Sequence, residues 1–169
     1  MRNILIAVLL LVAVLSVSCS APVTTDNSEK DLTTIQVTIR DDGISITCSD
    51  LRIDNYRAGK TVPVVYQVHN ATSKAVEPDI FINPDADVTD YSKADGAVNA
   101  PSYATDWIIL PEMSDVTPGE IKDFEVAFRM PKDAEKQEGT IAYQIGAASK
   151  SREGMLQPAV ATWWLVTMR

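Results

Sequence analysis

From Thr34 onward apolar side chains recur at every second position, the repeat of a strand with one buried face and not the 3.6-residue repeat of a helix. Ile35, Val37 and Ile39 alternate with Gln36, Thr38 and Arg40. After Asp41-Asp42-Gly43 the alternation resumes, with Ile44, Ile46 and Cys48 set against Ser45, Thr47 and Ser49. Two alternating runs around an Asp-Gly pair predict a hairpin, because glycine takes the positive φ of a tight turn without steric cost. The parity places Cys48 on the apolar face, as a small buried thiol.

The same reading predicts further strands at Val62, Val64, Tyr66 and Val68, at residues 76–83, at residues 107–110, at Phe124, Val126, Phe128 and Met130, and at Ile141, Tyr143 and Ile145. Pro78 belongs at a strand start or on an edge, because it has no N–H to give to a sheet. Residues 160–168 are apolar on both faces, which predicts a central strand covered on both sides. Trp163 and Trp164 are consecutive there and must point to opposite faces. About eight strands separated by Gly, Pro and Asp turns predict an all-β protein, an antiparallel two-sheet sandwich of about 7–8 strands. Residues 84–104, rich in Asp, Ala, Ser, Pro and Tyr, read as one long loop.

The N-terminus has a different pattern. Arg2 precedes an apolar run over residues 4–17 that only Ser16 interrupts, a length suited to a signal-peptide core and short of the roughly 20 residues of a membrane span. Leu15-Ser16-Val17-Ser18-Cys19 resembles a bacterial lipobox, with Ser16 standing where leucine is usual and Leu15 one place away. The resemblance implies cleavage after residue 18 and acylation of Cys19, a membrane anchor; ordinary cleavage after Ala21 would instead release a secreted protein. Residues 19–33 are polar and without apolar periodicity, and read as a flexible tether, leaving 34–169 as the folded domain.

Within that domain, Trp107-Ile108-Ile109-Leu110-Pro111-Glu112, Val116-Thr117-Pro118-Gly119-Glu120, Phe124-Glu125-Val126 and Met130-Pro131-Lys132-Asp133-Ala134 are similar to the strand and turn string of bacterial and archaeal extracytoplasmic immunoglobulin-like domains. The resemblance covers residues 60–146 and rests on structural residues. It implies an immunoglobulin-like sandwich and work as a spacer, an adhesive module or an accessory to surface enzymes.

A formal net charge of −8, one unit more acidic once Arg2 leaves with the leader, opposes binding to nucleic-acid phosphates. With Cys19 acylated, Cys48 has no partner in the chain and the fold does not rest on a disulfide. His69, the single histidine, is the one candidate general base, and there is no Gly-x-Ser-x-Gly elbow; no enzyme is expected. Met113, Met130, Met155, Met168, His69 and Cys48 form no soft-metal motif, and no cofactor is expected. Asp85, Asp87 and Asp90, with Asp95 nearby, concentrate hard oxygens as a weak Ca²⁺ candidate without the EF-hand spacing. Asn70-Ala71-Thr72 matches a glycosylation sequon.

These features predict a non-enzymatic, lipid-tethered module of a cell envelope that binds or scaffolds a protein partner. Its contact loop is expected over residues 84–104, with Asp85, Asp87, Asp90, Tyr91 and Tyr103, and deletion of that loop is expected to spare the fold. The alternative is a carbohydrate-binding module using exposed aromatics among Tyr91, Tyr103, Trp107, Trp163 and Trp164.

Overall fold

A computed structural model describes residues 23–24, 32–94, 96–134, 138–150 and 159–169. The predicted leader 1–18, Cys19 and most of the tether lie outside the described residues. The described chain forms β1 (Val23–Thr24), β2 (Thr33–Arg40), β3 (Gly43–Ile46), β4 (Asp50–Tyr56), β5 (Val62–Asn70), β6 (Glu77–Ile82), β7 (Ala97–Asn99), β8 (Ile108–Ile109), β9 (Ile121–Phe128), β10 (Thr140–Lys150) and β11 (Val160–Met168). Two short 3₁₀ turns, Val88–Asp90 and Ser102–Trp107, flank β7. Among the described residues no helix is long and apolar enough to cross a membrane.

The strands build two packed sheets. One runs β1-β4-β11-β10-β6 with β7 also on β10, and the other runs β3-β2-β5-β9-β8. Leaving aside the two- and three-residue strands β1, β7 and β8, eight remain; all of them but β4 were expected from the alternation, and the further strand expected over residues 107–110 is the two-residue β8. The pairing is mixed where the sequence predicted antiparallel: β2 runs parallel to β5, and β4 runs parallel to β11. The predicted hairpin is present, with Arg40 opposite Gly43 and Gly43 at φ 148°. Cys48, expected at the end of its second strand, sits instead in the short link from β3 to β4, still fully buried. β4 escaped the sequence reading, because the polar residues Asp50, Arg52, Asp54 and Asn55 mask the Leu51 and Ile53 alternation.

Ile35, Val37, Ile39, Val64, Tyr66, Val68, Phe124, Val126 and Phe128 point from one sheet towards Leu51, Ile53, Ile141, Tyr143, Ile145, Trp164 and Val166 of the other. Each such side chain, once fully buried, stabilises by about 1.5–3 kcal/mol before the entropy of ordering the chain is set against it. Polar atoms that enter this core are satisfied. Trp164 Nε1 donates to the Tyr66 hydroxyl at 3.1 Å, and Thr162 Oγ1 donates to the Cys48 carbonyl at 2.8 Å. Burial pushes the Tyr66 pKa well up, so its phenol stays neutral.

Asn70, the sequon asparagine, is fully buried at the end of β5. Its amide donates to the carbonyls of Lys74 and Val116, both at 2.8 Å, while its Oδ1 accepts from the Thr72 amide and hydroxyl. The side chain that a glycan would need is thus spent on closing the corner after β5.

Two predictions follow from this packing. A Cβ on Gly146 would lie 2.5 Å from the Phe81 ring, so Gly146→Ala is expected to cost roughly 1–3 kcal/mol by overpacking. In a Phe81→Ala background the same change should cost much less, a coupling that a double-mutant cycle of urea melts reads directly. Asn70→Ala removes all four side-chain hydrogen bonds at this buried corner and should lower stability by about 2 kcal/mol or more in the same assay.

Candidate functional site

The segment after β6 explains why this protein has a usable side. β10 is 11 residues long, and β11 occupies one of its edges. β6 pairs with the second half of the other edge, from Ile145 to Lys150. The chain then leaves the sheet and returns as β7, pairing in parallel with Thr140, Ile141 and Ala142 on that same edge. Between these visits it crosses the outer face of the sheet. Val88 and Ala94 there form a second small core with Ala142, Trp163 and Leu165, and Tyr91 stacks on Trp163 with ring centroids 5.7 Å apart.

Charged groups fasten the same excursion to β4. Arg52 Nη2 donates to the Lys93 carbonyl at 2.8 Å. Asp50, almost buried, lies 3.8 Å from both the Lys93 ammonium and Arg52 Nε, and accepts from Ser49 Oγ at 2.9 Å. Burial raises the pKa of the Tyr91 hydroxyl beside them.

Residues 84–104 are therefore not the separate loop the sequence suggested, but part of the fold. They supply an edge strand, the cover for Trp163 and the fully buried Ala104, whose carbonyl accepts from the Tyr143 hydroxyl. Deleting them would strip that cover and cannot leave the domain intact.

The predicted site residues separate accordingly. Asp87 Oδ1 accepts from the Thr89 amide at 3.0 Å and from Asn99 Nδ2 at 3.2 Å, and Asn99 Oδ1 accepts from the Val88 amide. These bonds hold the Asp87 pKa below the usual carboxylate range. Among the described residues no three His, Cys, Asp or Glu side chains converge, so Asp85, Asp87 and Asp90 do not gather as the Ca²⁺ candidate required. Asp95 lies outside the described residues. Tyr91 is turned in against Trp163. Tyr103 alone of the five is both exposed, at 52%, and set beside a groove.

That groove has a volume of about 400 Å³ and is lined by Tyr103, Trp107, Pro131, Asp133 and Ala134. The Ser102–Trp107 turn carries the chain from β7 in one sheet to β8 in the other, which brings the edges of both sheets to one side of the sandwich. Trp107 is 4% exposed and packs edge-on to Phe128 and to Tyr103, the latter at 6.0 Å between centroids. Its carbonyl accepts from the Arg129 amide, which fixes the groove at the start of β8. β8 is an edge strand, and Ile109 and Leu110 at its end are 47% and 38% exposed.

All three tryptophans are buried, which leaves Tyr103 as the exposed ring on this side. The groove's other wall, Pro131, Asp133 and Ala134, reads in the sequence only as a turn. No local pattern announces that 28 residues after Tyr103 the chain returns to its side.

The Asp87 cap makes a pH prediction. Because its folded pKa is lowered, the cap is intact at neutral pH and should be lost only as pH falls through that lowered value. The Thr89 amide resonance should therefore titrate below the ordinary carboxylate range; titration at the usual value would mean that the cap does not form.

No protein-family model matches the sequence, and no curated protein is significantly similar to it. Solved structures resemble it in fold. The PapD-like domain 7 of human CEP192 superposes with a TM-score of 0.52 at 14% identity, over 72% of this chain and 81% of that one. A candidate carbohydrate-binding protein from Bacteroides ovatus gives 0.51 at 16% identity, over 71% of this chain and 35% of the other, so the chain spans about a third of that protein. At such identities the likeness concerns the fold, and the described domain is an all-β sandwich of the PapD-like, immunoglobulin-like kind.

Proposed function

We propose that this chain is a non-enzymatic binding domain of a cell envelope that captures a protein partner on the side formed by the Ser102–Trp107 turn and β8. The observation that carries the reading is the exposed apolar edge itself. β8 ends at Ile109 on a sheet edge, Leu110 follows it, and both are exposed, with Tyr103 beside the adjoining groove. Soluble proteins blunt sheet edges with short strands, charge, proline or a cover, and here the strand is short and Pro111-Glu112 follows it; what invites a partner is the pair of exposed apolar side chains at the open edge. Left open, the edge suits an extended partner segment that adds to β8 and seats an apolar side chain between Ile109 and Leu110. The strand is short, so side-chain contacts must supply much of the affinity.

The leader and the lipobox-like Leu15-Ser16-Val17-Ser18-Cys19 support a location outside the cytoplasm, with Cys19 carrying the lipid; of the tether expected over residues 19–33, Val23–Thr24 pair with β4 and Thr33 opens β2. With Val23 and Thr24 paired to β4, only three residues separate Cys19 from the sheet, a reach of at most about 15 Å, so the lipid would hold the domain close to the membrane and its neighbouring envelope proteins.

The carbohydrate-binding reading retains one feature, the exposed Tyr103 ring over a groove. A single platform residue gives little beyond about 1 kcal/mol of stacking, and the three tryptophans are not available to extend it.

A photo-cross-linker at Ile109 in native membranes is expected to trap one recurrent protein, and the same group at Gln36, on the other side of the domain, is expected to trap none. Ile109→Asp should abolish partner capture while leaving the melting temperature within a few degrees. Equal labelling from both positions, or capture that survives Ile109→Asp, would sink the assignment of this edge. Pull-down by an insoluble polysaccharide that depends on Tyr103 would favour the alternative. An acyl group found by mass spectrometry on Cys19, with the chain moving to the soluble fraction in Cys19→Ser, is the expected result for the anchor.

A further inference from the structure

We infer that the groove beside β8 is a socket for one cationic side chain, an arginine or lysine of the partner segment. The inference rests on the binding reading above and specifies the chemistry of that same site. Asp133 is the one charged residue lining the groove. Among the described residues no ion pair or hydrogen bond engages its carboxylate, and it is exposed. The neighbouring Lys132 does not neutralise it from within the groove, since its side-chain carbons run across Gly59, where a Cβ would lie 2.4 Å from Lys132 Cγ.

The remaining lining is apolar or aromatic. Pro131 and Ala134 form one wall, Tyr103 the other, and Trp107 the floor. A long cationic side chain matches each part of this surface. Its methylene stem can lie on Pro131 and Ala134, its head can stack against the Tyr103 face, and its charge meets Asp133 at the mouth. An anionic side chain would be repelled by the Asp133 carboxylate on a chain of net charge −8. A purely apolar one would bury Asp133 without a partner, which is costly. Arginine fits better than lysine, because its planar, weakly hydrated guanidinium stacks on a ring and pairs with a carboxylate at once.

The test uses the full chain in detergent micelles and two acetylated, amidated octapeptides of alternating Val and Thr, one with a central arginine and the other with citrulline, its uncharged isostere. The Trp107 indole N–H resonance reports occupancy of the groove floor. The arginine peptide is expected to shift it saturably, and roughly 3- to 30-fold more tightly than the citrulline peptide, given the usual strength of exposed ion pairs and cation–π contacts. Asp133→Asn should remove most of that preference, and added salt should weaken the arginine peptide selectively. Tyr103→Phe should retain the preference, whereas Tyr103→Ala should reduce it.

Equal affinity for the two peptides, or no saturable shift with either, overturns the cationic socket. An arginine preference that survives Asp133→Asn does so too. These outcomes are separate from the Ile109 cross-link: a trapped protein with no arginine preference leaves the edge as the binding site and removes only the socket.

Discussion

β11 cannot bury itself against a single neighbouring sheet, and much of the architecture answers that constraint. Its Trp164 and Val166 enter the core between the sheets, while Trp163 and Leu165 face the other way. A sheet with both faces apolar at its centre must be covered twice, or it presents a large exposed patch. The facing sheet covers one side. Among the described residues it is the chain between β6 and β7 that crosses the other, bringing Val88, Tyr91 and Ala94 onto Trp163. The outer face of the second sheet makes the contrast. Gln36, Gln67 and Asp123 occupy it, Gln67 bonds to Asp123 at 3.1 Å, and no cover is needed.

That cover sets where the chain can go next. Having crossed the outer face, it re-enters along the vacant half of the β10 edge as β7 and must then change sheets to continue as β8. The Ser102–Trp107 turn makes the change by inserting Trp107 between the layers and leaving Tyr103 outside. The groove and the exposed β8 edge thus arise at the seam where the two sheets' edges meet. The exposed Ile109 and Leu110 at this seam are why we propose the binding site there and not on the acidic loop, whose Asp87 caps its own turn.

The acidic residues take a different part from the one their spacing suggests. Asp87 caps its own turn, and Asp50 meets two cations where the excursion touches β4. Both help shape the path of residues 83–101 without forming a metal site. Asp133, by contrast, comes from a turn that the sequence presents as ordinary, and it acquires significance only through the aromatic residues brought opposite it.

The eight longer strands were largely legible because one-sided burial writes a period of two into the sequence, and Ile35–Val37–Ile39, Phe124–Val126–Phe128 and Ile141–Tyr143–Ile145 carry it openly. The doubly apolar run at 160–168 likewise announced a central strand with one tryptophan on each face. β4 was hidden because its outward residues face the excursion and include a paired carboxylate. β7 is too short to show any period, and of the short strand expected over residues 107–110 only Ile108–Ile109 joins the sheet as β8. The parallel pairings of β2 with β5 and β4 with β11, the identity of the element covering Trp163, and the meeting of Tyr103 with Asp133 were decided only in the tertiary structure. Periodicity records which face of a strand is buried, but it does not record what buries it. Contacts between residues far apart in the chain depend on the path taken between them, which local alternation leaves free.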